Sequence, residues 1–324
     1  MSANISTAQK ALKKGGLYCY LMTPFDAKGD IQTSLLSEYA ARMIEAGADG
    51  LTCIASTCEG PYLTEKERHL VASTVGKAAA GRVPINIGIG AISTRQAIEY
   101  AKQARDCGAT SLMLEMQQYF PIGFDEAYRH YEEIANAVPL EIRLYNITGT
   151  TRFDFTPDLI VRMASIKSVK SVKEASGDVT RIRDVKALSG DRFNLFCGFH
   201  YQILDAMRFG AIGWEAGMHP TIAPACIALF RAAGKDPTSD QARKLYQRLQ
   251  PLFYFLKYNG VPQSIKALSA WSDLNLGKPR APLKELSSAQ VQRLRTIVDE
   301  LALAAEEDIE TAQISQPMQK RAVS

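Results

Sequence analysis

From residue 16 onward the chain repeats one unit eight times, a short apolar, β-branched run followed by a longer amphipathic stretch. The strand-like runs begin with GLYCYLMTPF (16–25), GLTCIAS (50–56), VPINIGIG (83–90) and SLMLEM (111–116). They continue with EIRLYNI (141–147), VKSVKEA (169–175), FNLFCGF (193–199) and AIGWEAG (211–217). Runs this apolar are strands covered on both faces, and helices between them make the sheet parallel. Two architectures accept the pattern, a closed eight-stranded barrel and an open doubly wound sheet. Eight units without a break at mid-chain favour the barrel, so the expected class is α/β, a (β/α)8 TIM barrel. The first strand is not followed by the GxGxxG turn of a dinucleotide site, and GIG at 88–90 lacks the third glycine.

The stretches between the runs carry helix signals. Thr64 with Glu67, and Ser93 with Gln96, have capping-box spacing, and several stretches end in Gly. After residue 234 the rhythm becomes helix only, over roughly 238–257, 261–274 and 287–308. The expected division is a barrel with a short N-terminal lead over 1–234, a C-terminal helical extension packed on it over 235–308, and a frayed tail over 309–324.

Composition narrows the classes of function. A net charge of +4 over 324 residues, with no basic stripe interleaved with aromatics, speaks against nucleic acid as a partner. No apolar run approaches the roughly 20 residues of a membrane span. The N-terminal lysines are not followed by an apolar signal core, so a cytoplasmic protein is expected. Cys19, Cys53, Cys58, Cys107, Cys197 and Cys226 form no CxxC pair and read as buried small hydrophobes of a reducing compartment. With the histidines scattered, they offer no zinc set, so neither a metal nor a cofactor is expected.

In a barrel of this class the active site lies at the C-terminal ends of the strands. The sequence puts Thr23, Ser56, Thr57 and Gly90 there from the first three strands, then Tyr119, Tyr145 and Asn146 from the next two. Lys173 and Glu174, Gly198 and His200, and Gly217 follow from the last three. A lysine among tyrosine and threonine hydroxyls, without metal ligands, suits covalent amine chemistry on a carbonyl. Burying an ammonium is costly unless it is paired or gives up its charge. A desolvated lysine becomes the free amine that attacks a 2-oxo acid, while a tyrosine shuttles protons and a short hydroxyl orients it. Spacing alone leaves a second reading open, in which Lys173 snorkels to solvent and Tyr145 is a core tyrosine. Lys167 and Lys170, earlier in the same segment, are better placed to snorkel.

SVKEASGD at 171–178 resembles the K-E-A-S-G-D segment that carries the Schiff-base lysine of the dihydrodipicolinate synthase/N-acetylneuraminate lyase family. LMTPFD (21–26) resembles the family's first strand, and ASTCEG (55–60) followed by LTEKER is similar to its G-T-T-G-E segment and continuation. GIGAIST (88–94) and the YN pair at 145–146 match in order and spacing, over roughly residues 16–300. The resemblance implies a Schiff base between Lys173 and pyruvate or another 2-oxo acid, with Tyr145 as proton donor and acceptor. It implies that Ser56 relays protons with Tyr145 and that Thr57 holds the 2-oxo acid carboxylate. Gly198 and Ala216 would line the pyruvate pocket with backbone. Tyr119 would reach into a neighbour's site, which implies a homo-oligomer, dimer or tetramer.

The departures from the family pattern concern the second substrate. Where the synthase branch has an arginine that grips a carboxylate, this chain has Thr150, with Arg152 two positions on. Where the sugar-acid branch tends to have an acidic residue, Phe199 and His200 follow Gly198, and Cys58 replaces a family glycine. Thr150, Arg152, His200, Phe120 and Phe199 form the expected outer pocket, with Trp214 beside them. The expected aldehyde is neither aspartate semialdehyde nor a long polyol. The expected function is a class I, metal-independent lyase making or breaking a C–C bond next to a 2-oxo acid imine. Alternatives are a 2-oxo-3-deoxy acid dehydratase or deaminase with the same lysine and tyrosine, and a non-catalytic pyruvate-binding barrel.

Overall fold

The computed structural model describes residues 15–314, with side chains through residue 302. The expected N-terminal lead up to residue 14, and the part of the expected tail from 315 on, lie outside the described residues.

The strands β1 (Gly16–Tyr20), β2 (Gly50–Cys53), β3 (Ile85–Gly88), β4 (Ser111–Glu115), β5 (Glu141–Asn146), β6 (Val169–Glu174), β7 (Asn194–Cys197) and β8 (Gly213–Gly217) pair in sequence order. β8 pairs with β1, which closes an eight-stranded parallel barrel. Between the strands run α1 (Thr33–Glu45), α2 (Glu65–Ala79), α3 (Thr94–Asp106), α4 (Phe124–Ala137), α5 (Pro157–Arg162), α6 (Thr180–Ser189) and α7 (Ile203–Arg208). α8 (Ala223–Lys235) follows β8. Most strands are shorter than their apolar runs, because several runs continue as buried loop at the rim: Leu21–Phe25 and Ile54–Ala55 are covered but unpaired as strand.

The helix signals act through specific atoms. Thr64 Oγ1 accepts from the Glu67 N–H, and the Glu67 carboxylate accepts from the Thr64 N–H at 2.8 Å, a complete capping box on α2. On α3 the Ser93 hydroxyl caps Gln96 N at 3.3 Å.

Alternation along the strands separates two interiors. Leu17, Cys19 and Leu51 belong to the large core between sheet and helices, whereas Tyr18 and Phe196 form a separate cluster inside the barrel. Their rings meet edge-on with centroids 5.6 Å apart. Glycine makes room for them: a Cβ on Gly50 would lie 2.4 Å from the Tyr18 ring, and one on Gly213 would lie 2.2 Å from Phe196.

The helical extension comprises α9 (Asp240–Asn259), α10 (Val261–Ser269) and α11 (Ser288–Ile314), the last running beyond the expected 308. It is tied to the barrel by charge as well as by apolar packing. Lys266 of α10 reaches the Glu59 carboxylate at 2.6 Å, both side chains being fully buried, and the Arg280 N–H donates to the same carboxylate at 2.6 Å. Glu59 sits just beyond Ser56 and Thr57, so the extension holds the loop that carries those hydroxyls. Among the described residues no helix is long and apolar enough to cross a membrane.

Candidate active site

Lys173 does not snorkel. It is 2 % exposed, while Lys167 and Lys170 of the same segment are exposed. Its register on β6 puts it beside Tyr145 on β5 and Phe196 on β7. The amine Nζ lies 3.9 Å from the centre of the Tyr145 ring and 4.1 Å from that of Tyr20, and it donates to the Tyr20 hydroxyl at 2.5 Å. Burial pulls its pKa down from 10.5 to about 8, against the opposing pull of the Glu215 carboxylate. A substantial share of the amine is therefore neutral near pH 8, which a surface lysine never achieves there.

The Tyr145 hydroxyl lies 3.3 Å from Ser56 Oγ, so the two expected proton-handling groups are in contact. Burial holds the phenol well above its ordinary pKa, with the Ser56 hydrogen bond pulling the other way. The loop bearing Ser56 and Thr57 is strained at Ile54, whose φ of 61° is a rare conformation for a β-branched residue. Its neighbours accommodate the bend: a Cβ on Gly60 would lie 1.9 Å from the Ile54 carbonyl oxygen, and one on Gly88 would lie 2.4 Å from it. Arg68, buried beneath, donates to the carbonyls of Gly60 and Gly88 at 3.1 and 2.7 Å and so fixes the loop. Thr23 donates to the Cys58 carbonyl at 2.8 Å from the other side. The Cγ2 atom of Thr57 lies 3.2 Å from where a Cβ on Gly217 would stand, at the end of β8.

Gly198 closes the site on the β7 side. A Cβ there would stand 2.6 Å from Ala175 Cβ and 3.1 Å from Lys173 Cε, so only glycine lets the strand end approach the lysine. Ala216 is buried on β8 between Glu215 and Gly217. Glu174, whose buried carboxyl is raised by desolvation, accepts from Ser176 N at 2.5 Å and from Asn146 Nδ2 at 2.9 Å. Asn146 also pairs with the backbone of Phe155, accepting from its N–H and donating to its carbonyl, both at 3.1 Å. That clamp folds the loop after β5 back onto the barrel.

Four groups went unnoticed in the sequence. Tyr20 holds the lysine from beneath, and its hydroxyl lies 3.4 Å from the Glu215 carboxylate. Glu215 is fully buried and is held by Arg143, by Asn86 at 3.1 Å and by Thr52 at 3.4 Å. The Arg143 guanidinium in turn lies 3.6 Å from the centre of the Phe196 ring and 4.5 Å from that of Tyr18. Glu115, buried near Tyr145, has its carboxyl raised by desolvation. The available signal was a charged residue at an inward position of an apolar run, in EIRLYNI and AIGWEAG alike.

Of the expected outer-pocket residues, His200 is buried, Phe199 is half-buried, and Phe120, Thr150 and Arg152 are exposed, the loop of Phe120 being joined to the Thr148–Thr151 turn where Gln118 Nε2 donates to the Thr151 carbonyl at 3.1 Å. Trp214 is fully buried and packs against His200 and Phe253 of α9, with ring centroids 5.8 Å away in each case. His200 is buried there too, bonded to the Gly217 carbonyl at 3.0 Å and pushed down to a pKa of about 4 by burial. Both fill the joint between barrel and extension. Phe199 is half-buried and stacks on Tyr201. Thr150 and Arg152 are exposed, on and just after the single helical turn Thr148–Thr151. Tyr119 and Phe120 are 80 % and 74 % exposed, edge to face with each other on the loop after β4. All six cysteines are free thiols, five of them buried, and no cluster of three or more His, Cys, Asp or Glu among the described residues has the geometry to hold a metal.

This arrangement has many relatives. Residues 13–301 match the sequence pattern of the Dihydrodipicolinate synthetase family. The 4-hydroxy-tetrahydrodipicolinate synthase of Oceanobacillus iheyensis is 28% identical over 286 residues, 88% of this chain and 97% of that protein. That of Synechococcus elongatus is 30% identical over 293 residues, covering 89% and 97%. Among solved structures, the dihydrodipicolinate synthase of Agrobacterium tumefaciens superposes with a TM-score of 0.84 at 29% identity, covering 90% of this chain and 99% of that one. The 4-hydroxy-tetrahydrodipicolinate synthase of Methylacidiphilum fumariolicum superposes with a TM-score of 0.86 at 26% identity, covering 90% and 97%. A match this complete, over barrel and extension together, makes the chain a member of the dihydrodipicolinate synthetase family.

Proposed function

We propose that the chain is a class I, metal-independent lyase in which Lys173 forms a Schiff base with pyruvate or a related 2-oxo acid. The observation that carries this reading is the amine of Lys173, 2 % exposed and in contact with two tyrosines at the C-terminal end of the barrel. The neutral amine attacks C2 of the 2-oxo acid. Tyr145, relaying through Ser56, supplies the proton with which the carbonyl oxygen leaves as water. The protonated imine then draws electrons from the neighbouring carbon, so that a C–H bond there breaks, or a C–C bond to a carbinol carbon that leaves as the aldehyde, and an enamine forms; the proton released, from carbon or from the carbinol hydroxyl, returns to the Tyr145 oxygen. The enamine carbon adds to an aldehyde in the synthetic direction; the reverse sequence cleaves the same bond. Thr57 and backbone N–H groups hold the carboxylate of the 2-oxo acid.

The proposed aldehyde is set by the residues that follow β5. An arginine clamp on a substrate carboxylate is a strong, directional contact, and the nearest candidates here, Thr150 and Arg152, are exposed. The reading is therefore a less acidic aldehyde than aspartate semialdehyde, and not a long polyol. A panel of aldehydes incubated with pyruvate, with products identified by mass, tests this. Turnover of aspartate semialdehyde or an aldose at about 10⁴ M⁻¹s⁻¹ or better, an ordinary enzymatic efficiency, contradicts it.

The reading extends to a cytoplasmic homo-oligomer. Exposed Tyr119 and Phe120 form an aromatic pair that a second copy would cover, and buried free thiols suit a reducing compartment. Sedimentation of the full chain, native against Tyr119→Ser, checks the first point: the native chain should run as dimer or tetramer and the variant should dissociate at higher concentration.

A further inference from the structure

The lysine of this barrel rests on a buried polar stack that the proposed reaction above does not use. Nζ of Lys173 donates to the Tyr20 hydroxyl at 2.5 Å, and that hydroxyl lies 3.4 Å from Oε2 of Glu215. The other carboxylate oxygen, Oε1, takes Arg143, Asn86 and Thr52. Arg143 and Glu215 are both essentially unexposed, and the guanidinium is covered by the Phe196 and Tyr18 rings. Taking an ion pair this deep into a barrel is costly, and a pair of apolar residues would fill the same space at less cost. Of the groups that the Glu215 carboxylate meets, Tyr20 is the one that also touches the lysine.

Other titratable groups surround the amine without touching it through a hydrogen bond. Glu115 on β4, Cys58 after β2 and Arg143 on β5 act on it through space. Cys197 on β7, His200 after it and the ring of Tyr145 complete the surround. Among the described residues, Tyr20 is the one hydrogen-bond partner of Nζ.

We propose that Tyr20, held by Glu215 and Arg143, is a further catalytic residue: its hydroxyl accepts an N–H of Lys173 before reaction and the single N–H of the protonated imine afterwards. The inference rests on the Schiff-base reading of Lys173. An ammonium and a ketone condense to a protonated imine and one water, and three N–H bonds become one. With the Tyr20 oxygen beneath the nitrogen, that remaining N–H points into the barrel. The C=N bond then turns its substrate carbon toward Tyr145 and Ser56, where the proton is handled. The same hydrogen bond favours the charged nitrogen, which is the form that withdraws electrons. Tyr20 thus orients the electron sink and keeps it charged.

Tyr20→Phe keeps the ring and removes the acceptor. Two readouts with pyruvate alone separate its role from simple support: the rate of borohydride-trapped adduct at Lys173 across pH, and exchange of the pyruvate methyl protons for deuterium per trapped imine. Without an acceptor the ammonium is less favoured, so the pH midpoint of trapping should move down by about one unit. Methyl exchange should fall about tenfold to a hundredfold, the worth of one hydrogen bond to a charged group. A merely structural role lowers both rates by one factor and leaves the midpoint in place, and that result overturns the proposal, as does no change in either. The double variant Glu215→Gln/Arg143→Gln removes the support without stranding a buried charge; because the Glu215 carboxylate itself raises the lysine, only methyl exchange per trapped imine is read there, and it should fall by a smaller factor than in Tyr20→Phe, no fall counting against the proposal. A native chain that forms no adduct at Lys173 defeats the Schiff-base reading itself and this proposal with it. A native adduct with Tyr20→Phe indistinguishable from native defeats the proposal alone.

Discussion

The Tyr145 hydroxyl stands 3.3 Å from Ser56 Oγ, while the same tyrosine's ring lies 3.9 Å from Lys173 Nζ. One side chain thus touches both the amine and the hydroxyl that orients its proton. Tyr145→Phe keeps the packing against Lys173 and removes only the proton. It should lower turnover by about 10²- to 10⁴-fold, the usual worth of general acid–base catalysis, while the lysine remains able to form an adduct. Ser56→Ala should cost less than Tyr145→Phe, and Ser56→Thr should retain most activity. Steady-state rates on the best aldehyde, beside borohydride trapping, check all three.

The lysine should titrate at catalytic pH. Its pKa is drawn from 10.5 to about 8 by burial, and the neutral form is the nucleophile. Adduct formation with pyruvate should therefore rise about tenfold per pH unit below pH 8 and level off above it. A lysine at its ordinary value would keep rising toward 10.5. Initial trapping rates between pH 6 and pH 10 separate the two curves.

Gly198 faces the lysine so closely that an added methyl would meet Lys173 Cε at 3.1 Å and Ala175 Cβ at 2.6 Å. Gly198→Ala should displace the amine and slow adduct formation by about tenfold or more, since small misplacements of a reacting group are expensive. The fold should survive, because the clash lies at the rim. Trapping rates alongside a melting curve show whether reactivity falls while stability holds.

The buried pair of Lys266 and Glu59 joins the extension to the loop of Ser56 and Thr57. Lys266→Met alone strands a buried carboxylate and should cost about 3–5 kcal/mol in urea unfolding. Lys266→Met with Glu59→Gln should recover much of that stability. If the pair also fixes the loop, the double variant should still bind pyruvate less well than the native chain, which its KM will show.

The barrel was legible because its evidence is local. Eight β-branched runs alternating with capped amphipathic stretches dictate the strand order, and Thr64 with Glu67 formed the capping box its spacing foretold. Lys173 was legible because a lysine among buried strand residues needs a chemical reason, and its segment resembles a known one. What lies beneath the lysine was not legible. Arg143 and Glu215 are 72 residues apart on strands that are not neighbours, and only barrel closure brings them together. The burial of Trp214 and His200 was not legible for a related reason. Trp214 and His200 look like rim residues by position, but they turn outward under α9 and pack against Phe253. Packing partners that arrive from the extension leave no trace in the barrel segment itself.

The most direct test of the account is intact mass after incubation with pyruvate and borohydride, for the native chain and for Lys173→Ala. The account predicts an added mass on the native chain, located at Lys173 by peptide mapping and absent from the variant. No adduct on the native chain, or an adduct that persists in Lys173→Ala, would contradict it.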